Sequence, residues 1–124
     1  MNDLLAILLP ALAIVESSGN PKAVNAKENA CGLYQIRPIY LADVNRILGK
    51  EAYTLDDRFD PQKSAEIVKI YLTHYGKVYQ KQTGKTPTLE VLARIHNGGP
   101  SGWKKESTKD YWKKLRNKLE RKFD

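Results

Sequence analysis

The distribution of apolar residues predicts a mainly helical chain. Leu4 to Val15 is an unbroken run of twelve nonpolar residues. It reads as a buried helix, with a kink or a short preceding turn at Pro10, because proline lacks the amide hydrogen that a helix interior needs. Ser17-Ser18-Gly19-Asn20-Pro21 ends it: glycine tolerates the left-handed position after a helix, and proline cannot continue one. Glu16 therefore falls in the last turn. Tyr40, Leu41, Val44, Ile47 and Leu48 follow the three-and-four spacing of one helix face, between Pro38 and Gly49. Asp60 and Pro61 supply the N-cap and first residue of a third helix, with Ala65, Val68, Tyr71, Leu72 and Tyr75 on one stripe. A fourth helix starts near Thr86 and Pro87, runs to Asn97 and stops at Gly98 and Gly99. The fifth opens at Ser107-Thr108-Lys109-Asp110, a capping-box pattern, and turns Tyr111, Leu115, Leu119 and Phe123 to one side. Between Asn20 and Arg37 the helical period is lost, and residues 30–36 fit turn, short helix or short strand. The expected fold is a mainly α single domain over residues 1–124, about five helices with a small irregular or β segment after the first.

Size agrees with one core: 124 residues and 14.1 kDa leave no room for a second domain. Charge adds a direction. The chain carries 21 Lys plus Arg against 14 Asp plus Glu, a net +7, which favours an anionic partner; nucleic acid, a membrane surface and a bacterial wall polymer all stay open on composition. Residues 104–124 hold nine basic and four acidic side chains, so most of the excess belongs to the last helix. The single cysteine, Cys31, excludes an intrachain disulfide and a cysteine-based metal cluster. Twelve apolar residues fall short of the roughly 20 that span a bilayer. Asn2 and Asp3 precede the run and the first lysine is Lys22, flanks that suit a core helix better than a signal peptide. No stable membrane insertion is expected.

Glu16 is the residue that position alone singles out. A carboxyl group directly after Ala11-Leu12-Ala13-Ile14-Val15, at the C-terminal end of a helix, is partly desolvated and meets the negative end of the helix dipole. Both effects favour the protonated form, the condition for a general acid in glycosidic cleavage. An ordinary solvated residue at a helix end fits the same position.

Three separated blocks decide between these readings. Glu16-Ser17-Ser18-Gly19-Asn20-Pro21, with Ala23-Val24-Asn25, resembles the catalytic segment of the lysozyme superfamily, in its lytic transglycosylase (SLT-type) and goose-type branch. Gly32-Leu33-Tyr34-Gln35-Ile36-Arg37-Pro38 is similar to that family's Gly-Leu-Met-Gln segment. Ala93-Arg94-Ile95-His96-Asn97-Gly98-Gly99-Pro100 resembles its Tyr-Asn-Ala-Gly-Pro segment, and with Tyr111-Trp112 it looks still more like invertebrate-type lysozymes. The blocks keep the family's order across residues 11–112.

The resemblance implies a lysozyme-like domain that cleaves the β-1,4 bond between N-acetylmuramic acid and N-acetylglucosamine in peptidoglycan. Glu16 would be the acid and then the base, with Ser17 holding the carboxyl group or the substrate, and Tyr34, Gln35 and Asn97 lining the sugar cleft. Tyr34 in the core and Asn97 as a helix cap are the plainer readings. His96 stands where transglycosylases commonly have tyrosine; a place in the cleft is the preferred reading, a satisfied structural histidine the other, and neither gives it an acid or base role. A hydrolase needs a second carboxylate. Glu28 is the candidate, although the aligned position is Asn25, and Glu28 between Lys27 and Asn29 also reads as a solvated charge. Without that carboxylate, the substrate's N-acetyl group can act as nucleophile and the muramyl 6-hydroxyl can close onto the anomeric carbon. A 1,6-anhydro product results with Glu16 alone, and this transglycosylase reading is preferred. The basic last helix either keeps itself soluble or draws the chain to the anionic wall, and Trp103 and Trp112 are candidates for stacking on sugars, Trp112 fitting a core position better.

Peptidoglycan strands are thus the expected partner, met by a monomer at the bacterial wall, in the periplasm, outside the cell or delivered by phage. No metal or organic cofactor is required. A noncatalytic glycan-binding relative and a small nucleic-acid binder are the competing classes. The first gives no reason to keep Glu16, and the second lacks stacking residues outside the packed face of the last helix.

Overall fold

The structure is a computed structural model that describes the backbone of residues 1–123 and side chains through Leu119. Phe123, expected to close the apolar stripe of the last helix, and Arg121 and Lys122, expected among its charges, lie outside the described side chains. Five helices follow in order: α1 Asn2–Ser17, α2 Pro38–Leu48, α3 Pro61–Thr83, α4 Leu89–Gly98 and α5 Lys109–Phe123. Helix α1 passes through Pro10 as one element, without a separate preceding turn. Its run is a core helix, burying Leu5, Leu8 and Leu12. The left-handed turn that ends it begins at Ser18 (φ 55°), one residue before the expected glycine. There the Ser18 and Gly19 amides bond the Ile14 and Ala13 carbonyls at 3.0 and 3.1 Å, satisfying acceptors that a helix end otherwise leaves open.

Helix α4 packs against α1, α3 and α5, and α3 against α2. Leu8, Leu12, Val44, Ile67, Leu72, Leu92, Ile95 and Leu115 fill the space between them without exposure. No helix among the described residues is long and apolar enough to cross a membrane.

The caps of α2 and α3 stand where the punctuation placed them. Gly49 is left-handed at the end of α2, and the Asp60 carboxylate accepts from the Lys63 amide at 2.8 Å. Helix α4 starts two residues later than expected, because the Thr88 hydroxyl, not Thr86, takes the Val91 amide. The capping box expected at Ser107–Asp110 does not form: the buried Thr108 hydroxyl instead serves the Gly102 and Lys105 carbonyls and accepts from Arg94 Nε. Such a box closes at Thr54–Asp57, at the start of a 3-10 turn over Leu55–Phe59.

The aperiodic segment is a minimal antiparallel hairpin, β1 Val24–Asn25 and β2 Ala30–Cys31, with Val24 opposite Cys31. The chain then folds back once more, and Cys31 and Ile36 exchange backbone bonds at 3.0 and 3.1 Å. Gly32 begins this turn at φ +83°, and a Cβ there would run into the Arg58 carbonyl. The buried Arg58 clamps the hairpin from the other side, donating to the Asn29, Ile36 and Leu55 carbonyls at 2.8, 3.1 and 2.8 Å. The hairpin is thereby fixed against the helices and forms one wall of a cavity.

Candidate active site

A cavity of about 860 Å³ opens between the end of α1, the hairpin, one face of α2 and the end of α4. Glu16 enters it from the last turn of α1, its side chain 18% exposed. The Tyr111 hydroxyl, carried in by α5, donates to Glu16 Oε2 at 2.7 Å. Burial, followed by the nearby Glu16 carboxylate, pushes the Tyr111 hydroxyl far above its ordinary range, so it remains a donor.

His96 lies beneath the same oxygen, its Nε2 3.5 Å from Glu16 Oε2. Nε2 is also 3.0 Å from the Tyr34 carbonyl, and Nδ1 is 3.0 Å from the Tyr40 hydroxyl. A carbonyl only accepts, so Nε2 carries the hydrogen; in the neutral ring Nδ1 then accepts from Tyr40. Burial pushes the imidazole below its ordinary value and outweighs the Glu16 carboxylate, which pulls the other way. The neutral ring is therefore the resident form. Tyr40 stacks on Tyr71 with ring centroids 3.7 Å apart, which continues this aromatic floor under the cavity.

Of the residues expected in the site, Glu16, Gln35, His96, Asn97 and Glu28 line the cavity together. Gln35 uses its amide nitrogen on the Gly32 and Ala23 carbonyls, at 3.0 and 3.3 Å. Asn97 is exposed on the cavity inside α4 and is not the helix cap, since Gly99 holds that position. Glu28 pairs with Arg37 at 3.4 Å and is open to solvent.

Ser17 and Tyr34 are not brought to the cavity. The Ser17 hydroxyl binds the Ala13 and Leu33 carbonyls at 3.0 and 2.9 Å, tying α1 to the turn that carries Gln35. The Tyr34 ring is in the core, and only its carbonyl serves the site, through His96. Trp103 and Trp112, half-buried, pack against the core and do not line the cavity, Trp103 lying edge-on to Tyr79.

Sequence reasoning missed Tyr40, Tyr71, Asp43 and Arg46, and it assigned Tyr111 to packing alone. Asp43 lines the cavity, accepts from Tyr75 and pairs with Arg46. The signal was present in α2: Ile39, Ala42, Asp43 and Arg46 recur at helical spacing on the side away from the apolar stripe.

A mainly α fold that seats one carboxyl group at the end of its first helix, in an open cavity beside a small hairpin, defines the lysozyme-like class. The chain belongs to the Transglycosylase SLT domain family, which it matches over residues 1–119. It is 31% identical over 111 residues to invertebrate-type lysozyme 3 of Caenorhabditis elegans, covering 84% of this chain and 78% of that protein. A lysozyme of Ostrea edulis is 31% identical over 94 residues, 76% of this chain, which spans 64% of that protein's length. A chain in the crystal structure of Aeromonas hydrophila PliI in complex with Meretrix lusoria lysozyme superposes with a TM-score of 0.72. Its sequence identity is 28%, and the match covers 90% of this chain and 87% of that one.

Proposed function

We propose that this domain cleaves peptidoglycan at the β-1,4 bond between N-acetylmuramic acid and N-acetylglucosamine, with Glu16 as acid and then base. The observation that carries the reading is the Glu16 carboxyl group, lining a cavity that can admit a glycan and held from behind by Tyr111 at 2.7 Å. The hydroxyl engages Oε2, so Oε1 is the oxygen that exchanges the proton with a bound glycan. Glu16 gives its proton to the departing N-acetylglucosamine oxygen as the glycosidic bond breaks. Both relatives described above are lysozymes, in keeping with this chemistry.

Within that class we favour the lytic transglycosylase. Three carboxylates line the cavity among the described residues, and the two besides Glu16 each have an arginine partner: Glu28 with Arg37, Asp43 with Arg46. A carboxylate so paired is a poorer nucleophile or base than a free one. The muramyl 6-hydroxyl then attacks the anomeric carbon while Glu16 takes its proton, and a 1,6-anhydro end forms without water. Hydrolysis through Glu28 is the second reading, favoured by its place on the same cavity.

Purified protein is expected to clear peptidoglycan, and Glu16→Gln to lose at least about a hundredfold in rate, the usual worth of a general acid. Equal rates would refute the assignment. Mass spectrometry of the released fragments separates the mechanisms: anhydro ends, lighter by one water, are expected, and reducing ends would promote Glu28.

A further inference from the structure

Helix α2 has two working faces. Tyr40, Leu41 and Val44 point into the core, while Ile39, Ala42, Asp43 and Arg46 form a stripe along the cavity. An exposed Asp–Arg pair three residues apart is ordinarily worth little, but this one is braced from another helix. Asp43 Oδ1 takes Arg46 Nε at 2.9 Å and Nη2 at 2.6 Å, and the Tyr75 hydroxyl of α3 donates to Asp43 Oδ2. Arg46 Nη2 also reaches the Tyr75 oxygen at 3.3 Å. One edge of the guanidinium is fixed, yet the side chain is 64% exposed on the cavity. Among the described residues its Nη1 hydrogens have no partner and are open to a ligand, and little rotamer entropy remains to be lost on binding. Arg37, also 52% exposed, lines the cavity at the other end of the same helix. Nine residue steps, about 14 Å at helical rise, separate Arg37, at the N-cap of α2, from Arg46.

Resting on the glycosidase reading above, we propose that the α2 wall binds a carboxylate carried by the substituent on O3 of muramic acid, with Arg46 as the group that grips it. N-acetylglucosamine is neutral, whereas muramic acid bears a lactyl group that ends either in its own carboxylate or in a peptide stem with carboxylates. A planar, pre-ordered guanidinium matches that acceptor in shape and charge. The exposed Ile39 and Ala42 between the arginines offer apolar contact to methyl groups of the same substituent.

Arg46→Gln removes the charge and keeps an amide donor. On glycan strands whose stem peptides have free carboxyl groups, its kcat/KM should fall about tenfold, the worth of one charge-assisted hydrogen bond. After amidation of every carboxyl group on the same strands, wild type and variant should cut alike. Peptide-stripped strands carry instead the free lactyl carboxylate, which is an amide when a stem is attached: a penalty persisting there shows that Arg46 takes either carboxylate, and its disappearance confines Arg46 to the stem. An equal loss on free and amidated strands overturns the proposal, because the arginine would then serve the fold or the neutral sugar. If wild type cuts none of these strands, the glycosidase reading falls by itself. Calorimetric titration with muramyl dipeptide and its amide then judges the site, which fails if wild type binds both equally.

Discussion

The imidazole of His96, on α4, is enclosed by groups from two other helices and the hairpin turn. Glu16 of α1 faces Nε2, Tyr40 of α2 faces Nδ1, the Tyr34 carbonyl takes the Nε2 hydrogen, and Arg37 adds a weaker repulsion. Burial dominates, so the folded chain resists protonation at a site that an unfolded chain protonates below about pH 6.5. Acid therefore favours the unfolded state. The stability tied to neutral His96 is complete above that pH and declines as pH falls through the interval down to the lowered folded value, by at most about 1.4 kcal/mol per pH unit. Urea midpoints between pH 5 and 8 should fall on the acid side for wild type. The slope should be shallower for His96→Gln, which cannot charge; coincident slopes would show that His96 is not held neutral. Neutral His96 thus sets an uncharged N–H donor 3.5 Å from Glu16 Oε2.

At the scale of elements, the hairpin depends on one glycine and one arginine. Gly32 combines a left-handed backbone with direct contact against the Arg58 carbonyl, whereas Gly49, left-handed at φ +73°, has open space around it. Gly49→Ala should show the backbone strain alone, about 1 to 3 kcal/mol. Gly32→Ala should exceed it in urea denaturation and also lower cleavage, because Gln35 and Glu28 ride on that segment; equal losses would show that the clash is relieved at no cost. Local chemistry explains what was legible here. Pro38 and Gly49 bound α2, and Asp60 and Pro61 start α3, by interactions within a few residues, so sequence alone predicts those ends. Glu16 and Asn97 were expected together from the resemblance of their blocks, and both line the cavity. Arg58 was not, since its work is done on carbonyls 22 and 29 residues away. Asp43 and Arg46 were legible only as a helix-spaced stripe of α2; their brace, Tyr75, comes from another helix and has no local signature.

For the molecule as a whole, the question is what the net +7 does, and α5 answers with its two faces. The outer face holds Lys113 and Lys114, both exposed. The inner face buries Leu115 and Leu119 against the core and sends Tyr111 across 95 residues of sequence to Glu16. The helix that reads as an accessory from its charge thus also holds Glu16 at the cavity, and the two roles are separable by face. Charge on the outer face acts at long range, raising encounter with an anionic polymer and weakening as salt shortens the Debye length to about 10 Å at 0.1 M. Replacing Lys113 and Lys114 by Gln should lower the rate on whole peptidoglycan at low salt, flatten its salt dependence, and leave cleavage of small soluble fragments unchanged. Tyr111→Phe should do the opposite, cutting turnover on small and large substrates alike at every salt concentration by about tenfold, as expected for one hydrogen bond to a charged group. Rates on soluble fragments and on sacculi across a salt series distinguish the outcomes. A loss of fragment cleavage in the lysine variant would mean that the outer face also supports the cavity.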